Sequence, residues 1–240
     1  MSDIKSALEF AVGLNQSVND HTVIQHEGRG YTLNKTLYEM YDPSFPQVDL
    51  TTLTGLRDYI TANVDGVDKG SIMVRVAAPG EVLVLSTPYG AFRQRDVMVS
   101  VSADLPNFRF NQFMCSEEFI IGINAFCLDK GDKETLLHDV AKIKIDAGGT
   151  IEDDGVSQTV SVAAGARLLN KKMLSSRVEL YPWSTFQEVD QPKREFVFRL
   201  NTEGKPGLFE ADGGCWRNEA MLTVRNWLRD CLPEGIAILA

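Results

Sequence analysis

An α+β fold, a largely antiparallel β-sheet with three or four packed helices, is what this sequence predicts. Three observations carry that expectation. Ile72, Val74 and Val76, then Val82 to Ser86, then Val97, Val99 and Val101 form runs of the two-residue period that half-buried strands need. The links between those runs are short turns built on Pro and Gly, not the long crossovers that parallel strands require. Other stretches carry apolar residues at helical spacing, and they lie apart from the strand runs rather than alternating with them.

Taken in order, the chain divides into an N-terminal segment, 1–50, and a main α+β domain, 51–240. Ile4, Ala7, Leu8, Ala11 and Val12 predict a short helix over Asp3 to Gly13. Val23–Gln25 and Tyr31–Leu33 flank His26-Glu27-Gly28-Arg29-Gly30 and predict a hairpin. Pro43 and Pro46 predict irregular chain from Leu37 to Val48. Thr51 or Thr52 then caps a helix reaching about Val64, with Leu53, Leu56, Tyr59, Ile60 and Val64 on its apolar face.

Ala78-Pro79-Gly80-Glu81 has Pro and Gly where a type II turn wants them, and Thr87-Pro88-Tyr89-Gly90 marks a second turn. Ser116 with Glu117 and Glu118 opens the next helix, since the acids suit its positive end. Phe119, Ile120, Ile121, Ile123, Phe126 and Cys127 cover so much of its surface that it is expected to be central and buried. A companion helix runs from Asp132 to about Ile143 through Leu136, Leu137, Val140 and Ala141. Gly148-Gly149 suggests a turn between short strands. Val156, Val160 and Val162, then Val178 and Leu180, then Phe196, Phe198 and Leu200 read as strands, and Glu203–Gly207 as a turn before Leu208–Ala211. The last helix runs from Asn218 to Leu232 on Ala220, Met221, Val224, Trp227, Leu228 and Cys231; Pro233 stops it, and Gly235–Leu239 adds an edge strand.

The chain has 240 residues, 24 Lys and Arg against 33 Asp and Glu, and a formal charge of -9. That composition is ordinary for a globular protein and disfavours a polynucleotide coater, which needs a basic face. No basic leader followed by an apolar core opens the sequence, and the longest apolar stretch, Phe119 to Leu128, is about half of the ~20 residues a spanning helix needs. No membrane association and a cytoplasmic location are therefore expected. Cys115, Cys127, Cys215 and Cys231 include no C-x-x-C pair and read as reduced thiols, not as a metal site.

Catalytic signatures are missing. His21, His26 and His138 have no partner at metal-binding spacing. There is no G-x-x-x-x-G-K-[ST], no G-x-G-x-x-G after a strand, and no nucleophile elbow. Glu152-Asp153-Asp154-Gly155 lacks the twelve-position calcium loop. No cofactor, metal or catalytic residue is assigned, and an enzyme has no local support.

Two acid-free basic stretches stand out in this acidic chain. Val82 to Arg95 contains Tyr89, Phe92, Arg93 and Arg95; Gly155 to Val178 contains Arg167, Lys171, Lys172 and Arg177. Arginine grips phosphate or carboxylate bidentately, and Tyr89 or Phe92 can stack on a base. Trp183, in Tyr181-Pro182-Trp183, is a further aromatic anchor. These nine residues are the candidate ligand contacts.

A helix at Leu53–Val64, the valine-rich hairpin, Phe108-Arg109-Phe110-Asn111-Gln112-Phe113, the acidic-start helix, its companion and the late strands around Tyr181-Pro182-Trp183 form a recognisable order. Over about residues 45–205 this pattern resembles a family of uncharacterised tailed-phage and prophage early-region proteins, a domain of unknown function. The resemblance implies phage origin and expression in the bacterial host cytoplasm, and it transfers no residue roles. The expectation that follows is a non-enzymatic, homo-oligomeric accessory protein that binds and sequesters a small anionic, nucleotide-like ligand of host defence signalling. The alternatives are a DNA-metabolism or recombination accessory and a structural or assembly component of the phage particle.

Overall fold

The computed structural model describes residues 44, 46–90, 93–141 and 176–240 in full, and Lys142 and six strands outside those ranges by their backbone alone. The fold is α+β, as the sequence predicts: among the described residues four helices accompany sheets rich in antiparallel pairs.

Three strands precede the main body. β1 (Val23–His26) pairs antiparallel with β2 (Arg29–Asn34), with Val23 opposite Thr32 and His26 opposite Arg29, which is the predicted hairpin. β2 then pairs with β3 (Thr36–Glu39). This third strand was not expected, because Pro43 and Pro46 marked the region as irregular; Thr36, Leu37 and Tyr38 are strand formers that lie ahead of both prolines. The helix predicted over Asp3–Gly13 lies outside the described residues.

The first large sheet contains β4 (Val48–Leu50), β5 (Ile72–Ala78), β6 (Glu81–Ser86), β7 (Val97–Ser102) and β14 (Ala237–Leu239), in the order β14-β5-β6-β7-β4. The three central strands are antiparallel neighbours; the two edge strands are each parallel to their neighbour, an exception to the expected antiparallel pattern. Both parallel connections follow from helices. α1 (Leu53–Ala62) follows β4, and α4 (Trp216–Cys231) precedes β14.

Thr52 caps α1, its hydroxyl accepting from the Gly55 N–H at 3.1 Å. The helix ends at Asn63, which adopts the left-handed conformation at φ 47°. Val64 therefore falls past the end and is 65% exposed, not on the apolar face assigned to it. Leu53, Leu56 and Ile60 join Val224 and Leu228 of α4 against Val74, Val76, Val82, Val84, Val99 and Val101, forming one core on one face of the sheet. Ala220, Val224 and Leu228 are the buried residues of the α4 stripe, and Trp227 is half-buried at its margin.

Two local details depart from expectation. Gly80 is not among the residues with positive φ, so the Pro79-Gly80 turn is not type II. In β7, Leu85 faces Val97 and Val84 faces Val99, so Met98 is the extra residue of a bulge. Met98 and Val99 are consequently both buried, where simple alternation would have turned Met98 outward.

The second large sheet contains β11 (Arg177–Leu180), β12 (Arg194–Leu200) and β13 (Pro206–Glu210), all antiparallel. α2 (Ser116–Phe126) and α3 (Lys133–Lys142) cover its inner face. Cys115, not Ser116, is the N-cap of α2; its Sγ accepts from the Glu118 N–H at 3.4 Å. Phe119, Ile123 and Phe126 are buried, but Ile121 is 62% exposed, so α2 is amphipathic rather than enclosed as predicted. The core here is aromatic: Phe108, Phe119, Phe126, Phe196 and Phe198 pack with Val178, Leu180, Leu200 and Leu208. Phe110 stacks on Phe196 with centroids 4.9 Å apart.

Between the large sheets in sequence, β8 (Thr150–Asp153), β9 (Gln158–Ala164) and β10 (Arg167–Leu174) form an antiparallel meander. β10 was not expected as a strand. Lys171-Lys172 interrupts its alternation, and a register irregularity between Leu169 and Lys172 absorbs the break.

The two large cores are joined by the segment between β11 and β12. Phe186 and Val189 of that segment pack into the first core. The Thr185 hydroxyl donates to the Pro79 carbonyl, and the Thr54 N–H at the start of α1 donates to Glu188 Oε1 at 3.1 Å. Among the described residues no helix is long and apolar enough to cross a membrane.

Candidate functional site

Of the nine candidate residues, Tyr89, Arg93 and Arg95 lie together in the loop joining β6 to β7. The loop is braced. Tyr89 bridges to Gln94, and the Tyr89 hydroxyl donates to Asp96 Oδ2 at 2.6 Å while accepting from Gln94 Nε2 at 3.0 Å. Ser86 and Asp96 close the base: Ser86 N–H donates to the Asp96 carbonyl at 3.0 Å and Asp96 N–H to Ser86 Oγ at 2.9 Å. Arg95 Nη1 donates to the Ser86 carbonyl at 2.8 Å, so this arginine serves the loop's own frame.

Arg93 is different. It is exposed and sits at φ 52°, a left-handed conformation that costs a β-carbon-bearing residue about 1 kcal/mol or more. Gly90, at φ 68°, is left-handed as well, and the Arg93 N–H donates to its carbonyl at 3.3 Å. A non-glycine residue held this way at a loop tip is the sort of local strain that marks functional positions.

Phe92 lies outside the described residues. Arg167, Lys171 and Lys172 lie on β10, where the backbone alone is described. Arg177 is exposed and opens β11, directly opposite Val197 of β12. Trp183 is half-buried; its backbone N–H donates to the Phe126 carbonyl at 2.9 Å, tying the chain after β11 to the end of α2.

Among the described residues, clefts large enough for a small molecule include two. One, of about 380 Å³, lies between Thr51, Thr52, Asp104, Phe186 and Glu188; the other, of about 420 Å³, between Asn124, Asp129, Lys130, Lys133 and Glu134. Of the candidates whose side chains are described, Tyr89, Arg93, Arg95, Arg177 and Trp183, none lines either. Lys133, at the second, is buried and committed: its ammonium donates to the Cys127 carbonyl at 2.7 Å and to Asp129 at 2.6 Å, capping the C-terminal end of α2. Among the described residues no group of three or more His, Cys, Asp or Glu side chains is placed to hold a metal ion.

One buried, heavily engaged cation was missed by the sequence reading. Arg194, on the inner face of β12, is only 4% exposed. It pairs with Glu210, and its Nε lies 3.8 Å from Asp212 Oδ2. Its guanidinium carbon lies 4.4 Å from the Trp216 ring centroid, 4.9 Å from Phe110 and 5.0 Å from Phe196. Burial pulls this guanidinium below the ordinary arginine range, and Glu210 and Asp212 pull it back. The signal was legible, since Arg194 shares strand parity with Phe196, Phe198 and Leu200 and so had to point inward. Its carboxylate and aromatic partners make it a structural junction, not a ligand arm.

Comparison of the chain with family models, with curated proteins and with solved structures found no match.

Proposed function

We propose that this protein is a non-enzymatic phage accessory protein that binds and sequesters a small anionic, nucleotide-like ligand of host defence signalling, acting as a homo-oligomer in the host cytoplasm. The observation that carries the reading is Arg93, an exposed guanidinium held in a left-handed conformation on a braced loop. A loop stiffened by the Tyr89, Gln94 and Asp96 hydrogen bonds loses little freedom when an anion docks, which favours tight capture. The second acid-free stretch supports it by composition: Arg167, Lys171, Lys172 and Arg177 gather within two successive strands of a chain of net charge -9.

Sequestration demands binding without turnover. Native mass spectrometry of protein purified from infected cells should report the subunit count and a retained small anion together. Heating should release that anion chemically intact. Protein that retains nothing, or that releases a hydrolysed product, overturns the reading. Arg93→Gln should lower retention while leaving the melting temperature within a degree or two, because the side chain is on the surface.

A further inference from the structure

The first large sheet has two faces, and α1 and α4 cover one of them. Strand parity sends Val74, Val82 and Val99 toward those helices and sends Met73, Arg75, Leu83, Leu85, Val97 and Ser100 to the opposite face. Register sorts that opposite face into cross-strand rows. Ala237, Met73, Leu85 and Val97 form one row; Leu239, Arg75, Leu83, Ser100 and Asp49 form the next, from β14 across to β4. Leu239 is 50% exposed, and Met73, Leu83, Leu85 and Val97 are each half-buried. Among the described residues, none of these five packs into either hydrophobic core.

The charges on this face suit a second copy of it. Arg75 and Asp49 stand in one row but three strands apart, ~14 Å at ordinary interstrand spacing, too far to pair within one chain. Both are exposed, and neither forms an ion pair among the described residues; Asp49 accepts from the Gln47 amide at 2.7 Å. A twofold axis parallel to the strands and midway between β6 and β7 lays one sheet face to face on another. It sets β5 over the partner's β4, and β6 over the partner's β7. Arg75 then meets Asp49 of the partner subunit, and Leu85 covers Val97 of the partner subunit. Stacked sheets lie ~10 Å apart, a gap that an arginine and an aspartate span end to end. An axis across the strands would set each strand over itself and keep Arg75 away from Asp49 of the partner subunit.

We propose that this face is a homodimer interface, and that the dimer joins two Arg93 loops into one anion site. The β6–β7 loop leaves the sheet at the Leu85–Val97 row, beside the axis. Because the axis runs along the strands, both loops project from the same end of the assembly as neighbours. The partner copy thereby contributes a second Arg93 to the site. The occupant of the face is a second copy, because an isologous contact needs a self-complementary surface, and here the apolar row faces itself while Arg75 and Asp49 exchange partners. The inference rests on the anion-capture reading and deepens it: one anion is gripped by two guanidiniums, one from each copy. Two such cations repel each other when no anion lies between them, so ligand binding strengthens the dimer.

The test is sedimentation velocity of the full chain over a wide range of concentration, with and without pyrophosphate. The chain should pass from monomer to dimer as concentration rises, and pyrophosphate should shift the midpoint toward lower concentration. Arg75→Asp and Asp49→Arg should each weaken the dimer about tenfold or more, a loss typical of like charges brought together at an interface. The double variant, which restores opposite charges across the axis, should recover most of that loss. Melting temperatures establish that each variant is folded, and Arg75→Gln is the milder substitute should a reversal fail to fold. Calorimetry should find one pyrophosphate per two chains, and Arg93→Gln should abolish that binding while leaving the ligand-free dimer intact. A chain that stays monomeric throughout, or a dimer indifferent to both reversals, overturns the interface; an anion still retained from cells then leaves capture standing. One pyrophosphate per chain, or none, overturns the shared site. A charge-dependent dimer that retains no anion from cells leaves the interface standing and overturns capture.

Discussion

Arg194 shows how one side chain organises its surroundings. Glu210 and Asp212 approach it from β13 and the loop that follows, and Trp216 from the first turn of α4. Removing the cation would leave the largely buried Asp212 carboxylate, 12% exposed, without its counter-charge and would free Glu210 from its partner. Arg194→Met should therefore cost about 3–5 kcal/mol, read as a lower urea midpoint, and adding Asp212→Asn should restore part of that loss. Cys127 makes a separate prediction. Burial pushes its thiol from an ordinary value of 9.0 up to about 12, against the opposing pull of Lys133 and Arg194. Between those values the native state keeps a proton that the unfolded chain has released. Stability from this group is thus complete below about pH 9 and declines as pH rises toward the folded value, by at most about 1.4 kcal/mol per pH unit. Tyr59, raised to about 12 by burial and by the Asp65 carboxylate, loses stability in the same direction. Urea midpoints measured from pH 8 to 11 should fall, and Cys127→Val should flatten the decline without abolishing it.

At the level of elements, the connection from α2 to α3 depends on one glycine. Gly131 adopts φ 65°, and a β-carbon there would collide with the Glu179 carbonyl of β11. The next residue, Asp132, fastens the same strand twice: its N–H donates to the Glu179 carbonyl at 2.9 Å, and its carboxylate accepts from the Glu179 N–H at 2.8 Å. Gly131→Ala combines a disfavoured backbone with a steric collision and should destabilise by more than about 1 kcal/mol, with a matching drop in melting temperature. Elements of this kind were partly legible in the sequence. Thr52, the alternating valines and the 220–231 stripe announced α1, the central strands and α4, because period and capping are local properties. The Met98 bulge, the Cys115 cap, the turn type at Gly80 and β10 were not legible, because each is set by what the partner strand or neighbouring turn requires. Surface features divide the same way. Basic stretches are visible in one dimension, whereas the meeting of Phe113 with Phe209 follows from a bridge between Phe113 and Gly207, which lie far apart in the chain.

Among the described residues, the segment between β11 and β12 ties the two large cores together. Phe186 is 1% exposed and belongs to the first core, although its flanking strands belong to the second. Gln191 locks this segment: its side-chain carbonyl accepts from the N–H groups of Ser184 and Thr185, and its amide donates to the carbonyls of Phe186 and Val189. Phe186→Ala should cost about 3–5 kcal/mol and loosen the coupling between the cores. Tryptophan fluorescence and far-ultraviolet circular dichroism should report a single coincident transition for the unaltered chain and separated transitions for the variant.

The five-stranded sheet is interrupted in sequence: its fourth strand ends at Ser102, and its fifth arrives at Ala237. During synthesis the aromatic core can close while the valine core has α1 but still lacks α4, the second helix that covers it. Until that helix emerges, the share of the Val74, Val76, Val82 and Val84 face that it covers stays wet on the ribosome, an interval in which this chain is open to chaperones and to mispairing.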